Sequence, residues 1–98
     1  MNVNVTATRA VALEINKNPA FKAVVDESLT KFLANDWGTS QDKALNDSDP
    51  IGGAMGVYPC NVPEGKIWIR SDDYRGSGEM LNGKLLERVI TIMFPSDY

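Results

Sequence analysis

The groups in this chain that could carry chemistry are carboxylates, because histidine is absent and cysteine occurs once. Without an imidazole there is no everyday general base, no favoured metal ligand and no Ser-His-Asp or Cys-His arrangement. Cys60 lies between Pro59 and Asn61 with no basic neighbour in sequence to stabilise a thiolate, so a structural role is expected of it. Asp36, Asp42, Asp47 and Asp49 fall in one stretch and are hard oxygen donors of the kind Mg²⁺ or Ca²⁺ takes. Their spacing fits no EF-hand register, since Asp47-Ser-Asp49 runs into Pro50 where the loop would continue. They are expected as solvated turn and capping acids, with no metal and no cofactor. Asp72 and Asp73 are adjacent near the end of an apparent strand, where neighbours point to opposite faces, so they do not form a converging acid/base pair. The glycines at Gly52, Gly53, Gly56, Gly76, Gly78 and Gly83 match neither a phosphate-loop nor a dinucleotide fingerprint.

The remaining candidates are contact residues. Trp37, Tyr58, Trp68, Tyr74 and Tyr98 are side chains that dominate protein interfaces when exposed. Core burial is expected for Trp68. Tyr74 beside Arg70, Asp72, Asp73 and Arg75 would form a mixed polar and aromatic patch suited to a protein partner. The net charge of −3 is unevenly distributed: residues 34–65 hold one basic against five acidic side chains. Such a balance disfavours direct nucleic-acid binding, which draws on basic groups that displace counterions. It suits instead a basic protein surface, with Asp36, Asp42, Asp47 and Asp49 as candidate contacts.

The elements that must position these groups follow from periodicity and punctuation. Asn2 to Thr6 alternate polar and apolar residues and suit a short strand or extended arm. Thr6 or Thr8 can cap a helix running from Arg9 to Lys17, with Val11 and Ile15 on its inner face. Asn18-Pro19 marks a second helix, since Asn caps free N–H groups and Pro is preset for the first helical turn. Phe21, Val24, Val25, Leu29, Phe32 and Leu33 form its apolar stripe. Gly38 can take the left-handed conformation that closes this helix, freeing Trp37 to fold over the core. Thr39 to Asp42 has capping-box spacing and opens a short third helix to about Asn46.

The glycine-rich stretch that follows suits a strand from about Ala54 to Cys60, at a sheet edge because Pro59 lacks a ladder donor. A strong strand runs from Lys66 towards Tyr74, with Ile67, Ile69 and Ser71 on one face and Trp68, Arg70 and Asp72 on the other. A second, Arg88 to Phe94, is largely apolar on both faces and therefore central or covered on both sides. Arg75-Gly-Ser-Gly78 and Asn82-Gly83 bracket a long flexible connection between the two. The expectation is a single α+β domain: two or three N-terminal helices packed on a three-stranded antiparallel sheet.

Ninety-eight residues suffice for one core, and no stretch approaches the ~20 apolar residues of a membrane span. With no signal-peptide pattern and a lone cysteine, a reducing cytoplasmic location is expected. Five segments are familiar together: Asn2-Val-Asn-Val-Thr6, Ala12 to Phe21, Asp36-Trp-Gly38, Lys66-Ile-Trp-Ile69 and Ile90 to Tyr98. They resemble a family of short proteins, of no assigned chemistry, carried on plasmids, integrative elements and prophages of Firmicutes. The resemblance implies a mobile-element origin and brings no catalytic residues with it. Small acidic proteins of such elements often bind host proteins, so the leading expectation is a non-enzymatic binding module. Its sharpest form is an inhibitor of a host defence nuclease, of anti-CRISPR or related type. The alternatives are a homodimeric assembly protein, joined through a sheet edge near Tyr58 or the aromatic patch, and a small metal-dependent enzyme using the four aspartates.

Overall fold

The computed structural model describes all 98 residues and has α+β architecture. A strand, β1 (Val3–Ala7), precedes the helices α1 (Arg9–Lys17), α2 (Pro19–Leu33) and α3 (Lys43–Ser48). The strands β2 (Met55–Pro59), β3 (Lys66–Asp73), β4 (Met80–Leu81), β5 (Lys84–Leu85) and β6 (Arg88–Met93) follow, with a 3₁₀ turn over Pro95–Asp97. Four strands form one sheet in the order β1-β6-β3-β2, while β4 and β5 pair separately. The sheet is therefore mixed, and the expected three-stranded antiparallel meander is corrected by β1, which lies parallel to β6 with Val5 opposite Ile90.

Local signals explain the helices. Thr8 caps α1 by accepting a hydrogen bond from the Val11 N–H, and Asn18 caps α2 through Phe21, with Pro19 in its first turn. Phe21, Val25 and Phe32 are fully or nearly buried as the stripe requires, whereas Leu33, at the helix end, stays half exposed. The closure of α2 falls on Asn35 rather than Gly38. Asn35 takes φ +60, its N–H donates to the Phe32 carbonyl and the Asp36 N–H donates to Lys31, a pair of bonds that satisfies the last free carbonyls. The capping box at Thr39 does not form. Ser40 instead accepts the Asp42 N–H, and α3 begins only at Lys43.

One face of the sheet is packed by α1 and α2. Ile67 and Ile69 of β3, Ile90 and Ile92 of β6, and Phe94 meet Val11, Phe21, Val25, Phe32 and Trp37 in a single apolar cluster. Burying such side chains contributes on the order of 1.5–3 kcal/mol each and outweighs their local ordering cost. The Phe21 and Phe94 rings lie 5.7 Å apart, and Phe32 meets Trp37 edge-on at 5.2 Å. β6 lies between β1 and β3, in the interior of the sheet.

The segment from Arg75 to Glu87, expected as a flexible connection, contains the β4–β5 hairpin. Asn82 (φ +52) and Gly83 (φ +77) form its turn, the Asn-Gly chemistry that two-residue hairpins require. The hairpin is tied back to the sheet by the Asn2 side-chain amide, which donates to the Leu85 carbonyl.

Candidate functional site

The second face of the sheet carries no helix. Alternation places Trp68, Arg70 and Asp72 of β3 on it, with Met55 and Val57 of β2 and Val89, Thr91 and Met93 of β6 beside them in register. Trp68, expected in the core, therefore stands half-buried on this uncovered face, and Trp37 is the tryptophan of the core. The Tyr98 ring packs edge-on against Trp68 at 5.6 Å, and the Arg70 guanidinium lies 5.8 Å from the same ring. Arg70 Nε also donates to Asp72 at 3.2 Å. The result is an aromatic, methionine and arginine surface with one internal ion pair, a composition typical of interface hot spots.

The patch anticipated around Tyr74 divides between the two sides of the sheet. Arg70 and Asp72 belong to the uncovered face, and Tyr74 follows β3 as a half-buried residue whose N–H donates to the Glu87 carbonyl. Asp73 shares the alternation of Ser71 and holds Arg75 in a two-pronged contact at 3.0 and 2.8 Å. That contact lowers the Asp73 carboxyl pKa to about 2 and raises the arginine. The folded-state pKa lies below the ordinary carboxylate value, so the interaction is complete above about pH 4 and is lost as pH falls through about 2. An NMR titration of the Asp73 carboxyl carbon should give a midpoint near 2, and Arg75→Ala should return it towards about 3.9. A wild-type midpoint near 4 would mean that the pair does not persist in solution.

The four aspartates do not converge. Asp36 accepts the Gly38 N–H, Asp49 accepts the Gly52 N–H, Asp47 accepts the indole N–H of Trp37 at 2.8 Å, and Asp42 makes no side-chain cap at α3. No three His, Cys, Asp or Glu side chains gather where they could hold a metal ion. Cys60 is half-buried, and burial pushes its thiol pKa up, away from nucleophilic reactivity. Two surface recesses exist. One, of about 290 Å³, lies between Asn2, Val3 and the β4–β5 hairpin, and one of about 490 Å³ runs beside Glu27, Lys31 and Asp36. No helix is long and apolar enough to cross a membrane.

Comparison with protein-family models, with curated proteins and with solved structures gives no significant match.

The sheet edges complete that geometry. Along β2 the groups pointing away from β3 belong to Met55, Val57 and Pro59, and those of Met55 and Val57 are all paired within the chain. The Asn46 side chain donates to the Met55 carbonyl at 2.7 Å and accepts its N–H at 3.1 Å. Val57 donates to the Trp37 carbonyl and accepts from the Thr39 N–H, while Pro59 has no N–H to offer. Tyr58, at 2% exposure, is buried behind this seal, and its hydroxyl donates to the Asp36 carbonyl. Burial and the nearby Asp36 carboxylate hold that phenol well above its ordinary pKa. At the edge near Tyr58, one anticipated homodimer contact, the outward backbone groups of Met55 and Val57 are already occupied by the chain itself. A motif search does not find Asn46, because its work is to imitate a strand's backbone, and a single buried Asn has no sequence signature.

Proposed function

We propose that this protein is a small non-enzymatic binding module whose uncovered sheet face docks on another protein. The observation that carries the reading is the cluster of Trp68, Tyr98 and Arg70, flanked by the half-buried Met55 and Val57, on a face that no helix covers. The strongly acidic balance of residues 34–65 suits a partner whose surface is basic. In its sharpest form, which the resemblance to mobile-element proteins supports, the partner is a host defence nuclease. The module would act by occluding or imitating the nucleic acid at a basic channel, as anti-CRISPR inhibitors do.

The test is plasmid transformation into a host with an active defence nuclease, with and without the protein expressed. The wild type should restore transformation, and Trp68→Ala and Arg70→Glu should each lower that relief by about tenfold or more, the scale expected for hot-spot loss. Thermal melts of both variants would establish that they remain folded. Absence of relief by the wild type rules out the anti-defence form, and undiminished relief by both variants removes the uncovered face from the mechanism.

A second reading, a self-assembling structural protein, is favoured by a separate observation: the state of the opposite edge.

A further inference from the structure

The two edges of the sheet are treated in opposite ways. The β2 edge is sealed by Asn46, Trp37, Thr39 and Pro59, as described above. The β1 edge is unpaired, with the β4–β5 hairpin beside its Val3 end only. In a parallel ladder alternate residues direct both backbone groups to the neighbouring strand, and the others direct both away. The Asn2 carbonyl accepts from Arg88 and the Thr8 N–H donates to Ile92, so the even-numbered residues bond to β6. Val3, Val5 and Ala7 therefore point their N–H and C=O groups outward, and no backbone or side-chain group of the chain pairs with them. Their side chains stand on the helix-covered side of the sheet, yet Val3 and Val5 remain 42% and 44% exposed. β1 has none of the usual devices that blunt an edge: Val3–Ala7 contains no lysine, no proline and no charge of any kind.

We infer that the β1 edge pairs with the β1 edge of a second copy of this chain, antiparallel and centred on Val5, joining the two sheets into one. Four features of the edge select this occupant. A two-fold axis at Val5 places Val5 opposite itself and Val3 opposite Ala7 of the second copy, so every outward backbone group of the three residues finds a partner. The side chains brought together are Val on Val and Val on Ala, the apolar cross-strand pairs that stabilise sheets. The strand is uncharged, so two acidic copies approach through an edge that adds no like-charge repulsion. The charges just beyond it are complementary. Exposed Arg9 follows the strand at one end, and Glu87 lies at the other, where its carboxylate accepts the Asn2 N–H. Neither takes part in an ion pair within the chain. Antiparallel pairing carries Arg9 of each copy towards Glu87 of the other, twice over.

Sedimentation equilibrium over a series from micromolar to millimolar tests the inference. The wild type should move from the monomer mass of 10.8 kDa to twice that value as concentration rises. Val5→Pro removes one outward N–H and no internal ladder bond, so it should weaken association by about tenfold or more. Arg9→Glu should weaken it by a similar factor, and the exchange Arg9→Glu with Glu87→Arg should restore it to within about threefold of wild type. Should the proline variant prove unstable, Val5→Cys on a Cys60→Ser background supplies an independent readout. Paired residues of this type stand about 5.5 Å apart at Cα, within disulfide range, so oxidised glutathione should convert the variant to a covalent dimer. A wild type that stays at monomer mass throughout the series overturns the inference and leaves the edge to a strand of another protein. A dimer indifferent to Val5→Pro, or a Val5→Cys variant that does not cross-link, overturns it as well. Trp68→Ala should leave the dimer unchanged, so this result and the docking of the uncovered face fail independently.

Discussion

Gly38→Ala should destabilise the fold by about 2–5 kcal/mol and lower its melting temperature by roughly 10–30 °C. Two costs add at this position. Gly38 holds φ +66, which a Cβ makes unfavourable by about 1–2 kcal/mol. That Cβ would also collide with the Val57 carbonyl oxygen and stand 2.8 Å from the Tyr58 ring. The Val57 carbonyl cannot yield freely, because it accepts the Thr39 N–H that closes the β2 edge. Relief of the clash must therefore pull the segment around Trp37 and Thr39 off the sheet. Gly53→Ala is the matching control, since Gly53 also has a positive φ, +91, but its added Cβ meets nothing within 4 Å. It should cost only the backbone term of about 1–2 kcal/mol. Equal melting temperatures for the two variants would show that the close approach at Val57 carries no weight. A secondary consequence follows from the exposed edge: Gly38→Ala should self-associate more readily than wild type when partly unfolded, because both edges are then bare.

The same position shows what the sequence discloses and what it leaves to tertiary structure. Gly38 was expected to close α2, and it does need a positive φ, but Asn35 performs the closure and Gly38 admits β2 instead. Some signals confined to one turn of chain hold: Thr8, Asn18 and Pro19 fix the starts of α1 and α2, whereas the equally local capping box at Thr39 does not form. The alternation in β3 likewise separates Ile67, Ile69 and Ser71 from Trp68, Arg70 and Asp72 correctly. It does not reveal which face receives the helices, so residue type alone points Trp68 to the core, and the structure places it on the uncovered face instead. The parallel pairing of β1 with β6 joins residues more than eighty positions apart, and five alternating residues carry no information about such a neighbour. The β4–β5 hairpin was within reach, since Asn82-Gly83 between Met80-Leu81 and Lys84-Leu85 is a strong two-residue turn signal. The aspartates were legible as turn and capping acids at Asp36 and Asp49. The bond from Trp37 to Asp47 was not, because it depends on where α3 docks.

Phe32→Ala should cost about 3–5 kcal/mol, the range for removing a fully buried phenylalanine. The ring does more than fill space. It receives the edge of Trp37 on one side, and the Arg88 guanidinium stands 5.7 Å from its centre. Arg88 is partly desolvated there, which pulls its pKa down, and it compensates through two donated bonds: Nε to the Ser71 hydroxyl at 2.7 Å and a terminal nitrogen to the Pro50 carbonyl at 3.2 Å. The fully buried Ser71 hydroxyl donates a hydrogen bond to the Ile51 carbonyl, so the chain from Phe32 to Ile51 ties α2, β6, β3 and the loop before β2 together. Phe32→Leu keeps most of the apolar volume and removes the aromatic face, which isolates the contribution of the cation to the ring. A double-mutant cycle of Phe32→Leu with Arg88→Met, read by chemical denaturation, should give a coupling of about 0.5–2 kcal/mol. A coupling near zero would mean that the guanidinium is held by Ser71 and Pro50 alone and that the ring serves only as packing. The loss expected for Phe32→Ala would then fall to the cavity it leaves, at the lower end of its range.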